Sequence, residues 1–313
     1  MKPSLTKETM DMLDKPAEER IAYITRNRWI EYPLAQDILG KIENIFKYEK
    51  GKSRVSSILL VGASNNGKTT LLERFMELHP PYDYVVDGNR PDIVDDEFFE
   101  SYSGIGMPVL YTIAPSEPSE TRLYNNILNQ INVPYKAGDT ISKKQFLVER
   151  WLKLLQVEML IIDEVHNILS GSVARQKQIL NAVKNLSNTL KIPIVLAGTK
   201  DSLRAVGSDD QISSRFRPEY LTRWKMDKAF VSLLATIMRF MPLRKESDIL
   251  NKECANEILE TSNGYIGEII NLIKTAAIYA IETGSERITL KEIRECPYNS
   301  LQQVHKTMHL KDI

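Results

Sequence analysis

The segment Gly62-Ala63-Ser64-Asn65-Asn66-Gly67-Lys68-Thr69 is a complete GxxxxGK[ST] phosphate loop, and it constrains the fold more than any other feature. It follows the apolar run Ser57-Ile58-Leu59-Leu60-Val61 and opens the apolar-periodic stretch Leu71-Leu72-Glu73-Arg74-Phe75. A strand therefore enters the loop and a helix leaves it. The loop's backbone N–H groups and the positive end of that helix converge on one anion site. The predicted ligand is a nucleoside triphosphate, held by Gly62, Ala63, Ser64, Asn65, Asn66, Gly67, Lys68, Thr69 and Thr70. Lys68 is expected to reach the β- and γ-phosphates, and the Thr69 hydroxyl to ligate Mg²⁺. Asn65 and Asn66 stand where many such loops carry Pro or Gly, and Asn tolerates the left-handed backbone the turn needs.

The other half of such a site is Met159-Leu160-Ile161-Ile162-Asp163-Glu164. Four apolar residues make a buried strand, and two acids emerge at its carboxyl end, where open α/β sheets bind ligands. Asp163 is expected to hold Mg²⁺, and Glu164 to polarise the attacking water as general base. Adjacent acids of this kind point to hydrolysis and away from a kinase acting on a small acceptor. The run Ile194-Val195-Leu196-Ala197 ends in Gly198-Thr199, which puts the Thr199 hydroxyl beside Glu164 to sense a γ-phosphate. The same two residues also suit a plain strand-ending turn. In Ser213-Ser214-Arg215-Phe216-Arg217-Pro218, Arg215 is the first candidate and Arg217 the second for an arginine delivered to a neighbouring subunit's γ-phosphate. Such a finger is worth about 10³–10⁵ in rate and implies an oligomer.

The wider pattern is α/β. Strands are predicted at Ser57–Val61, near Tyr84–Val86, and at Val109–Ile113, Met159–Asp163, Ile194–Ala197 and Glu219–Trp224. Helices are predicted at Lys68–Leu78, Glu120–Ile131, Ser142–Leu155 and Ser172–Leu190. Continuous apolar strands alternating with helices indicate a parallel sheet covered on both faces. Helices before Lys52 form a prelude. Those near Ala229–Met241, Lys252–Thr261, Ile266–Glu282 and Leu290–Glu295 form a separate bundle. The expected division is a helical segment 1–52, a nucleotide-binding core 53–226, a helical lid 227–298 and a tail 299–313. The tail is polar and suits a partner contact.

Lys plus Arg and Asp plus Glu both total 41, so no overall field draws the chain to nucleic acid or anionic membrane. Charge is uneven locally. Residues 81–120 carry nine acidic side chains against one basic, and residues 170–228 carry eleven basic against five acidic. The acidic stretch Asp92–Glu100 is expected as an exposed insertion. Cys254 and Cys296 make neither a metal spacing nor a disulfide framework, and the four histidines form no zinc pattern. There is no bilayer-length apolar run, and Met1–Glu19 lacks a signal-peptide core, so a cytoplasmic protein is expected.

The order of phosphate loop, Asp-Glu strand, Thr-ended strand, Ser-Arg segment and C-terminal helices resembles an AAA+ P-loop NTPase, a parallel sheet flanked by helices with a C-terminal helical lid subdomain. More narrowly, Gly62–Thr69, Arg28-Trp29-Ile30, Pro115-Ser116-Glu117-Pro118-Ser119-Glu120, Asp163-Glu164-Val165-His166-Asn167, Leu196-Ala197-Gly198-Thr199 and Gly264-Tyr265-Ile266-Gly267-Glu268 are similar to TniB/TnsC-type transposition regulators. The likeness runs from about Glu19 to Ile281. It implies an ATP- and Mg²⁺-dependent ATPase that assembles on double-stranded target DNA as a ring or helical filament. Its implied partners are a DDE-type transposase and a TniQ-type target-selection protein. Some relatives serve transposons guided by a CRISPR effector, and nothing in this chain decides that point.

The resemblance also implies that Trp29 and Ile30 line an adenine pocket, although a buried core aromatic would read the same way. It sets Lys143, Lys144, Arg150, Arg175 and Lys177 near the DNA side of a ring, with Arg175 and Lys177 preferred. One departure stands out. Many AAA+ proteins carry an arginine after the paired glycines, where Glu268 stands here, and this implies slow, switch-like turnover. Two other readings stay open on sequence: a helicase loader or replication initiator, and a scaffold ATPase that acts without nucleic acid.

Overall fold

The computed structural model describes residues 4–87, 101–207 and 210–299. The acidic stretch Asp92–Glu100, and the tail beyond Asn299, lie outside the described residues. In chain order the elements begin α1 (Lys7–Met12), α2 (Ala17–Thr25), α3 (Pro33–Tyr48), β1 (Ser57–Gly62), α4 (Lys68–Leu78), β2 (Tyr82–Asp87), β3 (Ser101–Gly106) and β4 (Val109–Ile113). There follow α5 (Glu120–Gln130), α6 (Ile141–Leu154), β5 (Met159–Asp163), a 3-10 turn (Val165–Ser170), α7 (Val173–Leu190) and β6 (Ile194–Gly198). The last are α8 (Asp201–Val206), α9 (Asp210–Ser213), β7 (Phe216–Leu221), α10 (Lys228–Met238), α11 (Lys252–Ser262), α12 (Ile266–Glu282) and α13 (Leu290–Glu295).

Runs of Ile, Leu and Val make β1, β5 and β6, and each is buried along its whole length, as strands covered on both faces must be. They pair in parallel in the order β4-β5-β6-β1-β7. The register sets Val61 opposite Gly198 and Ile113 opposite Asp163, so the carboxyl ends of β1, β4, β5 and β6, next to the candidate site residues, share one edge. Leu59, Leu160, Ile162 and Leu196 of the sheet pack with Leu123, Ile127, Val148, Leu152, Ile179 and Val183 of α5, α6 and α7. Each such side chain, fully buried, contributes about 1.5–3 kcal/mol before entropy is counted.

Two strand expectations are corrected. The last strand is Phe216–Leu221 and not Glu219–Trp224, with Pro218 inside it opposite Leu59. Among the described residues β7 is an edge strand paired with β1 alone, so a proline there costs no ladder bond on the far side. The strand around Tyr84–Val86 does not join the parallel sheet. β2 pairs antiparallel with β3 as a separate two-stranded ribbon, and β3 was not anticipated. Gly104 opposes Tyr84 and Gly106 opposes Tyr82. A Cβ at Gly104 would stand 2.8 Å from the Tyr84 ring, so the glycines give the tyrosines room to lie across the partner strand.

By contacts the chain forms two units. One holds Asp37–Ser64 and Lys68–Leu221, the sheet with its helices. The other holds the described residues of Met1–Gln36 and Thr222–Ile313, together with Asn65–Gly67 of the phosphate loop. The expected segment 1–52 is thus shared between the two units. In the second unit α12, buried along one face, packs on α2, α11 and α13. Arg20 on α2 pairs with Glu286 through two bonds of 2.7 Å, and Arg20 also donates to the Pro242 carbonyl. Cys254 and Cys296 are buried free thiols that burial pushes up, away from the reactive thiolate. Among the described residues no helix is long and apolar enough to cross a membrane.

Candidate functional site

The loop between β1 and α4 turns through left-handed backbone at Asn65 (φ 60°) and Gly67 (φ 80°). Asn pays little for this conformation and Gly pays nothing, so the residues that depart from the usual loop pattern still build the turn. Lys68 is buried at the first turn of α4, and its Nζ donates to the carbonyls of Gly62 and Ala63 at 3.0 Å each. Burial lowers its pKa, and the nearby Asp163 and Glu164 raise it. The ammonium is thus held in place by its own loop.

The expected union of the two motifs is present. The Thr69 hydroxyl donates to Asp163 Oδ2 at 2.9 Å, and the Tyr111 hydroxyl donates to the same oxygen at 3.1 Å. The Glu164 amide donates to Asp163 Oδ1 at 2.7 Å, which leaves this carboxylate, 1% exposed, with every oxygen bonded. Burial and Asp163 together push the Tyr111 phenol above its ordinary range. Sequence reasoning missed Tyr111. Its only signal is a polar aromatic at the middle of a buried strand, in register with Ile161. A hydroxyl beside a carboxylate is a fitting donor set for Mg²⁺, which takes few protein ligands and completes its octahedron with phosphates and water.

Glu164 sits in the left-handed region (φ 57°, ψ 35°), a conformation that costs a non-glycine residue about 1–3 kcal/mol and collects at functional sites. Its carboxylate lies 3.1 Å from His166 Nδ1. Thr199 Oγ1 and Ser202 Oγ, at the end of β6 and the start of α8, are buried without a hydrogen-bond partner among the described residues. Buried hydroxyls rarely stand unpaired, and when they do a ligand-facing role is one of few explanations.

Asn65 Nδ2 donates to Glu268 Oε1 at 2.5 Å, and the Gly267 amide donates to the Asn65 carbonyl at 3.1 Å. Tyr298 donates to the other Glu268 oxygen, also at 2.5 Å. The acid that stands where many AAA+ proteins have arginine is therefore a buried anchor for the middle of the loop, 6% exposed. Ile30 is buried and Trp29 half-buried in the connector after α2. Tyr32, two residues on, borders Gly67 and meets Trp224 edge-on at 5.3 Å; burial pushes its phenol up to about 12.

Arg215 is half-buried and donates to Asn188 Oδ1 on α7 at 2.5 Å, while Arg217 is exposed on the edge strand β7. Of the basic residues, Lys144 departs from the expectation of a solvent-facing cation. It is 1% exposed, with its ammonium 5.0 Å from the Tyr135 ring centroid, because the apolar face of α6 turns it inward. Lys143 is exposed and paired with Asp139 at 2.7 Å, and Arg150 is half-buried. Arg175 and Lys177 are exposed on the first turns of α7.

Comparison with known proteins gives a family and a fold. The family model described as bacterial TniB protein matches residues 20–226. No curated protein sequence matches significantly. The chain is similar in fold to Cdc6p from Pyrobaculum aerophilum, with 14% identity, a TM-score of 0.57 and coverage of 90% of this chain and 73% of that one. It is similar also to the Aeropyrum pernix ORC1 protein solved with DNA, at 13% identity, TM-score 0.53, and 88% and 67% coverage. Drosophila ORC bound to DNA matches at 12% identity, TM-score 0.52, and 98% and 71% coverage. Identities this low speak for the fold alone.

Proposed function

This chain belongs to the TniB family and has the AAA+ P-loop ATPase fold, and from that premise we propose an ATP-gated switch that assembles on double-stranded DNA to direct transposition. The observation that carries the ATPase half is the 2.9 Å bond from Thr69 to Asp163, which ties the phosphate loop to the strand bearing the general-base candidate.

In this reading Lys68 leaves the carbonyls of Gly62 and Ala63 for the β- and γ-phosphate oxygens. Thr69 and Asp163 would hold Mg²⁺, which when bound would offset the charge of the triphosphate. Glu164 takes a proton from the attacking water as the water oxygen bonds to the γ-phosphorus and the bond to the ADP oxygen breaks. Thr199, with no partner of its own, donates to the γ-phosphate. Arg215, freed from Asn188, or Arg217 acts on a neighbouring subunit's phosphate, so hydrolysis follows assembly. With Glu268 in place of an arginine, turnover is slow and works as a disassembly timer. ATP is preferred over GTP, since no Asn-Lys-x-Asp guanine reader is present.

Duplex DNA as partner is supported by the family and by Arg175 and Lys177, exposed together on α7. Fold relatives solved with DNA add weight. Phosphate contacts of this kind are independent of sequence, which suits a protein that leaves target choice to others. A transposase and a TniQ-type protein would then read the assembled form. The test is ATP hydrolysis by the purified chain with and without duplex DNA. Stimulation by DNA, abolished in Glu164→Gln, supports the reading; hydrolysis indifferent to DNA would move it to a scaffold ATPase.

A further inference from the structure

A general base works best when a third group fixes it, as a carboxylate fixes the histidine of a hydrolase triad. Here the order is reversed: the base is a carboxylate, and a histidine stands where the orienting group would be. Resting on the ATPase reading above, we propose that His166 is the positioning residue of Glu164, holding its carboxylate toward the reacting water.

Four observations converge on this. Glu164 leaves β5 in the left-handed conformation, which throws its side chain off the strand direction, and that side chain is 42% exposed. Nothing in its own backbone then fixes where the carboxylate points. Among the described residues His166 is the one group within ion-pair distance of it, Nδ1 to Oε2 at 3.1 Å, while Lys68 acts on it only through its charge. Among the described residues the buried His166 Nδ1 atom has no aligned hydrogen-bond partner, so the approach to Glu164 is close but off the line of a bond. Finally, the 3-10 turn that carries His166 packs on α8 and β6, where the unpartnered Thr199 and Ser202 hydroxyls lie. The His166 amide is 3.3 Å from where a Cβ of Gly198 would stand, so His166 and the γ-phosphate-sensing candidate share one corner. A tightening of that corner around a phosphate moves the imidazole and, through it, the base.

The chemistry asks for a donor at Nδ1. An imidazole carrying a proton at that nitrogen donates to one carboxylate oxygen and leaves the other to accept from water. An asparagine at 166 offers an amide N–H at nearly the same distance along its side chain, whereas alanine and leucine offer none.

The test measures ATP hydrolysis, with DNA present, for the full chain and for Glu164→Gln, His166→Ala, His166→Leu and His166→Asn, with affinity for a fluorescent ATP analogue measured beside it. Wild-type hydrolysis lost in Glu164→Gln secures the underlying reading; without it, the ATPase reading itself fails. Given that, His166→Ala and His166→Leu are expected to lower kcat about tenfold or more, toward the 10²–10⁴ range of the base itself. KM and analogue affinity stay within about threefold, and His166→Asn recovers most of kcat. Unchanged or raised kcat in the alanine variant overturns the proposal, as does a loss that asparagine and leucine share equally.

Discussion

At the residue scale, Asp163 organises the site. It accepts bonds from Thr69, Tyr111 and the Glu164 amide, all while nearly inaccessible to solvent. Removing only the Tyr111 hydroxyl leaves the ring and frees one carboxylate lone pair. Tyr111→Phe is therefore expected to cost about 1–2 kcal/mol of stability and to weaken Mg²⁺-dependent nucleotide binding severalfold, measured by thermal melts with and without nucleotide. Glu164→Gln, which keeps shape and removes basicity, is expected to lower hydrolysis about 10²–10⁴-fold with nucleotide affinity retained. The phosphate loop and the Asp-Glu pair were legible in sequence because each is a short run whose meaning depends on its immediate neighbours. Tyr111, His166 and the Asn65–Glu268 bond were not. Tyr111 depends on strand register, the Asn65–Glu268 bond on a contact between residues 203 positions apart, and His166 on the left-handed turn at Glu164, none of which a local pattern of residue types encodes.

At the scale of elements, glycines and ion pairs decide which helices meet. A Cβ on Gly267 would overlap Asn65 Oδ1 and come within 2.9 Å of the Asn65 carbonyl. Gly267→Ala must displace the middle of the phosphate loop, and nucleotide affinity is expected to fall about tenfold or more while helix content is unchanged. The pairing of Arg20 with Glu286 joins α2 to the turn after α12, with side chains 3% and 12% exposed. Breaking it in Glu286→Ala strands a buried guanidinium and is expected to cost about 3–5 kcal/mol.

The same pair gives a pH dependence. The hydrogen bonds from Arg20 hold the Glu286 carboxyl below its ordinary value. A lowered folded pKa means stability that is full above about pH 4.3, the unfolded value, and is lost as pH falls through the lower folded value. Melting in acid should show wild type losing more stability than Glu286→Gln over that window. The helices of this unit were readable from their 3.6-residue periods, α12 to its exact ends. β7 begins three residues before the expected strand, because a proline such as Pro218 stops a central strand and is tolerated at an edge. Lys144 departs from expectation for the converse reason: a charged helix residue ordinarily faces solvent, and here the apolar stripe of α6 carries it inside.

For the whole molecule, charge balance makes the proposed DNA binding a local affair. With Lys plus Arg equal to Asp plus Glu, long-range attraction is weak, and affinity must come from a few contacts. Each phosphate contact contributes a slope of about −0.9 in log affinity against log salt, so the Arg175→Ala, Lys177→Ala double variant is expected to flatten that slope by about 1.8. The most direct measurement is electron microscopy of the full chain with short duplex DNA in three states: a non-hydrolysable ATP analogue, ADP, and no nucleotide. Rings or filaments on DNA with the analogue alone, and in Glu164→Gln with ATP, are the expected result. Assembly that ignores the nucleotide, or none on DNA in any state, would contradict a triphosphate-gated DNA switch.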